Sequence, residues 1–232
     1  MKLNEMSNVS GKLFILLAFT FLISCVEEKT NEDTIYVQEY IESDIISNEV
    51  NLLSDVVPIN KEGVINAIIE IPAGTMDKWE LDKNTGEIVW EKVNNVPRVV
   101  NYIGYPGNYG LIPQTLLSKE NGGDGDPLDV LVLGPAVKRG TIASCKIIGV
   151  LHLKDNGEKD DKLIAVSYDS PFYRLRSMEE LNSQYKGVSN IVKTWFSNYK
   201  GPGKTKVSGY GTKEQARKIL KMAMEEYKSA NP

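Results

Sequence analysis

The chain has 232 residues, of which 25% are charged and 41% hydrophobic, and its formal net charge at pH 7 is −4. This length suits one domain of moderate size with a sizeable core, and the composition is that of an ordinary globular protein. The weak negative charge excludes a long-range attraction toward nucleic acid or an anionic membrane surface. A polyanionic ligand would have to be held by a local cluster of Lys and Arg or by bound metal.

The first 25 residues differ from the rest of the chain. A short basic stretch precedes an apolar run over 13–23, which is too short to span a bilayer comfortably as a mature helix. The run ends in Leu-Ile-Ser-Cys, which resembles the lipobox of a bacterial lipoprotein. The resemblance implies a signal peptide over 1–24, cleavage before Cys25 and acylation of Cys25. A plain signal peptide and an uncleaved anchor are the alternatives.

Residues 26–54 are acidic and poor in aromatic side chains, which is typical of a tether. We therefore predict a lipidated N-terminus and tether over 25–55 and a globular domain over 56–232. The lipid on Cys25 would hold this domain on the periplasmic or surface side of a bacterial membrane. Val26 is not the aspartate associated with inner-membrane retention, which favours the outer membrane.

The first half of the globular domain has the pattern of a β protein. Residues 83–86 predict the turn of a hairpin, and 102–116, rich in Gly, Pro and Tyr, predict an ordered loop. Cys145 lies on the face of a predicted strand and is interpreted as a small buried hydrophobe. The strands predicted from residue alternation and composition cover 64–71, 78–82, 87–93, 130–133, 143–153 and 163–168.

The last third of the chain is predicted to be helical. Ser177 with Glu180, and Thr212 with Gln215, have the spacing of capping boxes, and apolar residues follow both at helical intervals. The predicted strands come first and the predicted helices last, and the spacing of parallel βαβ units is absent. This order predicts an α+β fold that is mainly β. We expect a small antiparallel barrel or sheet with flanking C-terminal helices.

The most unusual stretch is the acidic segment 124–129, Asp-Gly-Asp-Pro-Leu-Asp, which leads directly into an apolar strand. A polar turn explains Asp124 but not Asp129, because an ionised carboxylate beside a buried run is costly without a compensating cation or hydrogen bonds. Clustered carboxylates favour hard divalent cations, Mg²⁺ in particular. An EF-hand loop is excluded, since its Gly and Glu positions are Asp129 and Pro135 here.

From about residue 64 to 228 the chain resembles the soluble family I inorganic pyrophosphatases, and the acidic segment matches the family signature D-x-D-P-x-D. The blocks that occur in family order are Glu70 in Ile-Glu-Ile-Pro, Lys78-Trp79-Glu80 with Asp82-Lys83, Asn108-Tyr109-Gly110, segment 124–129, Asp155 to Lys162, and Tyr199-Lys200. The resemblance implies a five-stranded OB-like antiparallel barrel with flanking helices. It also implies hydrolysis of pyrophosphate by water activated by several Mg²⁺ ions, with other divalent cations as alternatives.

The resemblance assigns roles to the matching positions. Asp126 would orient and deprotonate the attacking water, and Glu80 would be a supporting acidic group. The implied metal-binding residues are Asp124, Asp129 and Asp160, with Asp155 for metal that arrives with substrate and Glu70 acting through metal-bound water. The implied phosphate-binding residues are Lys78, Tyr109, Lys162, Tyr199 and Lys200.

Several of these residues have simpler interpretations. Glu70 could be a member of a buried ion pair, and 155–162 could be a solvated hairpin loop. Tyr199 and Lys200 could merely end a helix, where a cation suits the dipole. His152, the only histidine, is interpreted as a strand residue because one histidine cannot build a metal site.

The chain departs from the family at one phosphate-binding position. Where the family usually has arginine after the hairpin turn, Lys92 stands here, and Arg98 follows an insertion-like stretch. Lysine cannot form the bidentate fork that arginine offers to phosphate. We therefore predict that Arg98 takes this role and keep Lys92 as the alternative.

The leading functional prediction is a lipid-tethered, Mg²⁺-dependent pyrophosphatase that meets the membrane only through its lipid. The same site could instead act on short polyphosphate or a nucleotide. A non-enzymatic surface lipoprotein that binds metal, phosphate or a protein is disfavoured, because every clustered aspartate is present. Homo-oligomerisation stays open, since bacterial relatives tend to assemble and the tether could block such contacts.

Overall fold

The computed structural model describes residues 45–46 and 50–231. The predicted signal peptide, Cys25 and most of the tether lie outside these residues. Leu52, inside the range predicted as a tether, is 1% exposed and packs in a hydrophobic cluster with Ile68 and Trp79. In the described part of the chain, no helix combines the length and apolar character that a membrane crossing needs.

Twelve short or medium strands and three α-helices make up the described part of the chain. The strands are β1 Ile45–Ile46, β2 Ile65–Ile71, β3 Trp79–Leu81, β4 Ile88–Trp90, β5 Lys92–Val93, β6 Val96–Pro97, β7 Asn108–Leu111, β8 Asp129–Leu133, β9 Ile142–Asp155, β10 Glu158–Lys159, β11 Lys162–Ser167 and β12 Thr205–Gly211. The helices are α1 Met178–Gln184, α2 Val188–Asn198 and α3 Lys213–Ala230. Two 3₁₀ turns cover Lys119–Asn121 and Pro171–Arg174.

These elements confirm the mainly β fold with C-terminal helices and correct two details. The predicted loop 102–116 contains strand β7, and β12 was not predicted. β7 is a strand because it pairs with both β2 and β8. Gly110 permits this approach, since a Cβ there would overlap with the backbone carbonyl of Ile68.

The main sheet is built around five strands whose pairings follow one another. β2 pairs with β7, β7 with β8, β8 with β11, β11 with β9, and β9 again with β2. The expectation of an entirely antiparallel arrangement is wrong at one pair, because β8 and β11 run parallel. The chain changes direction between β8 and β9 and again between β9 and β11, so β8 and β11 run in the same direction. β9 pairs with the edge of β11 that is opposite to β8.

The continuous apolar run of β8 is explained by burial on both faces. Leu131 and Leu133 belong to a cluster that includes residues of α1 and α2, whereas Val130 and Val132 belong to a second cluster that includes residues of α3. Cys145 is fully buried in the second cluster, as predicted. Burial of such side chains, each worth roughly 1.5–3 kcal/mol, holds the strands whose ends carry the site.

The predicted helix starts are confirmed. Thr212 and Gln215 form a reciprocal capping box at α3, with the Gln215 N–H donating to Thr212 Oγ1 over 3.3 Å. At α1, Ser177 Oγ accepts the Glu180 N–H over 3.2 Å. The Glu180 carboxylate accepts the N–H of Arg176 instead of that of Ser177, so this second cap is not reciprocal.

Candidate active site

A cavity of about 610 Å³ lies where the ends of β2, β7, β8, β9 and β11 meet. It brings together every residue for which a catalytic, metal-binding or phosphate-binding role was predicted, except Lys92. These residues are Glu70, Lys78, Glu80, Arg98, Tyr109, Asp124, Asp126, Asp129, Asp155, Asp160, Lys162, Tyr199 and Lys200. Their individual roles stay predictions, but residues up to 130 positions apart in the sequence share one cavity.

Lys162 lies at the centre of the strand side of this cavity. The parallel pairing aligns Leu163 with Val130, which brings Lys162 at the start of β11 beside Asp129 at the start of β8. Lys162 is 3% exposed, and its Nζ donates hydrogen bonds to the carboxylates of both Asp129 and Asp160. Burial alone would lower the pKa of Lys162, but these two carboxylates raise it above its usual value.

Asp160 is a carboxylate that the fold has largely removed from water. Burial raises the pKa of Asp160 to about 6, although the charge of Lys162 opposes this shift and that of Asp129 adds to it. Two carboxylates thus converge on one ammonium group. This arrangement favours a positive charge between Asp129 and Asp160.

Glu70 on β2 is buried, but its partner is not the cation that a buried ion pair would require. Its Oε1 accepts the backbone N–H of Leu81 over 2.7 Å, which links β2 to β3. Among the described residues, no Lys or Arg side chain forms an ion pair with Glu70. Burial raises the pKa of Glu70 to about 7, while the charge of Lys78 acts in the opposite direction.

The turn side of the cavity is more exposed. Asp126 forms an ion pair with Lys83, a residue of the 83–86 turn for which no role was predicted, and each side chain is more than half exposed. Asp124 Oδ1 accepts the Asp126 N–H over 3.0 Å, which shapes the acidic turn. Lys83 belongs to a family block, but its pairing could not be predicted locally, because Asp126 lies 43 positions away in the sequence.

Other cations face carboxylates around the same cavity. Lys200 pairs with Asp155, and Lys78 Nζ lies 3.8 Å from Glu80 Oε2. Most of the hairpin loop 155–162 lines the cavity, namely Asp155, Asn156, Glu158, Lys159, Asp160 and Lys162.

Three tyrosines line the cavity, and one of them, Tyr105, was not predicted. The ring of Tyr105 lies 5.1 Å from that of Tyr109 and 6.5 Å from that of Tyr199, while Tyr199 stacks on Trp195 at 4.5 Å. Burial raises the pKa of all three hydroxyls above the usual value. They therefore stay protonated at neutral pH and can donate hydrogen bonds to an anion.

The structure separates the two candidates for the missing family arginine. Arg98 lines the cavity, and its Nη1 donates to both carboxylate oxygens of Glu91 over 2.7 and 2.8 Å. Lys92 lies exposed on β5, opposite Pro97, and is not part of the cavity wall. Lys92 thus lies in the hairpin formed by β5 and β6, outside the cavity wall. Arg98, which follows this hairpin, lies on the wall.

The carboxylates suit a hard divalent cation in donor type, because all are oxygen ligands and, among the described residues, no thiol or imidazole lines the cavity. Within residues 50–231, however, no three Asp, Glu, His or Cys side chains are grouped closely enough to hold a metal ion. The ammonium of Lys162 stands between Asp129 and Asp160. The oxygen donors therefore fit Mg²⁺ in chemistry, and Asp129 and Asp160 already share one positive charge, that of Lys162.

Comparisons with known proteins point to a single family. A family model described as inorganic pyrophosphatase matches residues 67–228. The inorganic pyrophosphatase of Campylobacter jejuni is 36% identical over 168 residues, which cover 71% of this chain and 92% of that protein. Among solved structures, the inorganic pyrophosphatase of Helicobacter pylori is 31% identical with a TM-score of 0.64, covering 75% of this chain and 99% of that one. That of Thermus thermophilus is 28% identical with a TM-score of 0.65, covering 77% and 99%. The chain therefore belongs to the family I inorganic pyrophosphatases.

Proposed function

We propose that this protein hydrolyses inorganic pyrophosphate to two phosphates and requires divalent cations, preferably Mg²⁺. The observation that carries the proposal is the shared cavity, in which the acidic segment faces the buried Lys162 and a row of protonated tyrosines. Cations and hydroxyl donors suit phosphoryl oxygens, and clustered carboxylates suit the ions that accompany a pyrophosphate.

Bound divalent cations would neutralise the substrate and lower the pKa of water that they hold. Their ligands would be Asp124, Asp129 and Asp160, with Asp155 for further ions, Glu70 acting through water and Glu80 in support. This assignment rests on the family motif and on the position of these side chains on one cavity wall.

The chain's own residues would bind the substrate and handle the proton. Asp126, which is half exposed and hydrogen-bonded to Lys83, would orient the attacking water and accept its proton. The cations of Lys78, Lys162, Lys200 and Arg98 would stabilise the charge that spreads over the phosphoryl oxygens. The hydroxyls of Tyr109 and Tyr199 would donate further hydrogen bonds.

A phosphate-release assay tests this function. Full-length protein in detergent should release phosphate from pyrophosphate with Mg²⁺ and not with EDTA, and Asp126→Asn should lower kcat by roughly 10²- to 10⁴-fold. Asp169→Asn is the matched control, because Asp169 is exposed and lies outside the cavity wall. Full activity of Asp126→Asn, or activity of wild type in EDTA, would contradict the proposal. Light scattering of the same sample would determine whether the protein is a homo-oligomer.

We also propose the finer descriptions of fold and location. An OB-like barrel of β2, β7, β8, β11 and β9 is supported by the pairing of β2 with both β7 and β9. A lipid anchor on the non-cytoplasmic side of a bacterial membrane, preferably the outer one, is supported by the apolar run before Cys25. Labelled palmitate should be incorporated into wild type and not into Cys25→Ser, and membrane fractionation should show the wild type in the outer membrane.

A further inference from the structure

Arg139 lies in the turn between β8 and β9, outside the wall of the active-site cavity, and contacts two elements that carry predicted site residues. Its side chain is only 15% exposed. The backbone holds this turn beside β2, because the Gly140 N–H donates to the Ile69 carbonyl over 2.7 Å and the Ile69 N–H donates to the Thr141 carbonyl over 3.0 Å. Arg139 therefore has a fixed position next to the strand that carries Glu70.

The first contact of Arg139 is with the backbone of Glu70. The register of β2 against β7 shifts between Ile69 and Ile71, so Glu70 is the extra residue of a β-bulge. Bulges disrupt the regular ladder and often redirect a side chain next to an active site. Arg139 Nε donates to the Glu70 carbonyl over 2.9 Å. This hydrogen bond stabilises the backbone conformation from which the Glu70 side chain reaches the cavity wall.

The second contact of Arg139 is with β3 and the residue before it. The guanidinium carbon lies 4.1 Å from the centroid of the Trp79 ring, a cation–π distance, and Nη2 lies 3.8 Å from Asp77 Oδ2. Trp79 is 3% exposed, and within the described part of the chain its Nε1 has no hydrogen-bond partner. Its ring also stacks on that of Trp90 at 5.3 Å. Stacking, and not a hydrogen bond of the indole, therefore orients this ring.

Trp79 connects Arg139 to two charged residues of the cavity. Lys78 and Glu80, its neighbours in the chain, both line the cavity, and Lys78 Nζ lies 3.8 Å from Glu80 Oε2. In an extended segment, successive side chains point to opposite faces, so the orientation of Trp79 affects where its two neighbours point. The guanidinium thus holds one group of the cavity through the backbone of Glu70 and two groups through Trp79.

Resting on the proposed function, we propose that Arg139 is a positioning residue for pyrophosphate hydrolysis, because it fixes the bulge at Glu70 against the ring of Trp79. In this role Arg139 does not touch the substrate. It keeps the charged groups on β2 and β3 at the separation that the reaction requires. A displacement of about 1 Å in a site can lower a rate by roughly 10²-fold. Loss of Arg139 should therefore lower turnover more than substrate affinity.

The test is a steady-state kinetic measurement on full-length protein with Mg²⁺ and pyrophosphate. Arg139→Gln should lower kcat by roughly 10- to 100-fold and change KM by less than about threefold, because the groups that contact the substrate are retained but misaligned. Both values refer to the folded fraction, which circular dichroism gives at the assay temperature. Lys138→Gln is the matched control, because it removes one positive charge at the neighbouring, exposed position. It should match wild type.

A spectroscopic measurement in EDTA gives a readout that depends on neither turnover nor metal. Loss of the cation over Trp79 should change the near-ultraviolet circular dichroism of the stacked Trp79 and Trp90. We expect this change in Arg139→Gln and not in Lys138→Gln. An unchanged spectrum of Arg139→Gln would show that Arg139 does not orient Trp79 and would overturn the inference.

The kinetic outcomes separate positioning from a purely structural role. Wild-type kcat in folded Arg139→Gln, or a raised KM with unchanged kcat, would contradict the inference. So would a loss of activity that only matches the loss of folded protein. Where Arg139→Gln does not fold, Arg139→Lys replaces it. Lysine keeps the charge but not the planar group, so kcat should fall by roughly three- to tenfold, and wild-type kcat would be the contrary result. Absence of pyrophosphate hydrolysis in wild-type protein would instead overturn the proposed function.

Discussion

The two sides of the active-site cavity hold their charges in different ways. On the strand side, Lys162 and Glu70 are 3% and 4% exposed, and their charged atoms bond to groups on neighbouring strands. On the turn side, Lys83 and Asp126 pair with each other while each side chain is more than half exposed. A buried charge that loses its partner is costly, whereas water and salt screen an exposed pair. Substitutions on the strand side should therefore lower the free energy of unfolding more than substitutions on the turn side.

The largest effect is expected for Lys162→Met. This change removes the ammonium between two largely buried carboxylates, so in EDTA the free energy of unfolding should fall by about 3–5 kcal/mol. Urea unfolding with and without saturating Mg²⁺ is the measurement. Mg²⁺ should recover much of the loss, because it would restore a positive charge between Asp129 and Asp160. An equal loss in both conditions would show that the carboxylates do not share a cation site.

A smaller effect is expected at Glu70. Glu70→Ala leaves the Leu81 N–H without its acceptor and should lower the free energy of unfolding by about 1–3 kcal/mol. Glu70→Gln keeps an oxygen for this hydrogen bond and removes a poorly hydrated charge, so it should be closer to wild type. Thermal unfolding of both variants in EDTA makes the comparison. If Glu70→Gln lowered the stability as much as Glu70→Ala, the charge of Glu70, and not its hydrogen bond to Leu81, would stabilise the contact between β2 and β3.

A further loss of stability is expected for a substitution of Asp161. In the sequence Asp161 lies between Asp160 and Lys162, which line the cavity, but Asp161 itself does not line it. Its carboxylate accepts the Leu153 N–H over 3.1 Å and contacts His152 Nδ1 at 2.9 Å, so it ties the start of β11 to β9. Asp161→Ala should cost about 1–2 kcal/mol of stability and raise KM for pyrophosphate by displacing Lys162. The exposed Asp169→Ala should change neither quantity. An unchanged KM for Asp161→Ala would limit Asp161 to a structural role.

The smallest effect on stability is expected for Lys83→Met. This variant makes the same substitution as Lys162→Met, but at an exposed lysine. Loss of the screened pair with Asp126 should change the free energy of unfolding by less than about 1 kcal/mol. The rate of phosphate release should nevertheless shift, because Asp126 loses the group that restrains it. A loss of stability as large as that of Lys162→Met would contradict the proposed difference between the two sides.

Local patterns in the sequence predicted much of the fold. The alternation and apolar runs that indicated β2, β8, β9 and β11 reflect burial that is repeated along each strand. The starts of α1 and α3 followed from caps in which donor and acceptor lie three residues apart. Such features need only neighbours in the chain, so they can be inferred from residue order.

Other elements depended on partners that are distant in the chain. β7 lies in a segment rich in Gly and Tyr and is a strand only because β2 and β8 flank it. β12 lacks a regular apolar alternation because much of it is only partly buried, so nothing local marked it. The parallel pairing of β8 with β11 depends on the path of β9 and could not be inferred from spacing.

For the site, residue types and motif order were sufficient to name the acidic segment, its lysines and its tyrosines as parts of one cavity. Only the tertiary structure paired Lys83 with Asp126 and added Tyr105 to the cavity, and it places Arg98, the residue favoured from the sequence, on the cavity wall and Lys92 off it. The physical reason is that the functional group of each side chain depends only on the residue type, which is known from the sequence. The partner, burial and pKa of each charged group depend on strand pairing between segments far apart in the chain, which only the folded structure determines.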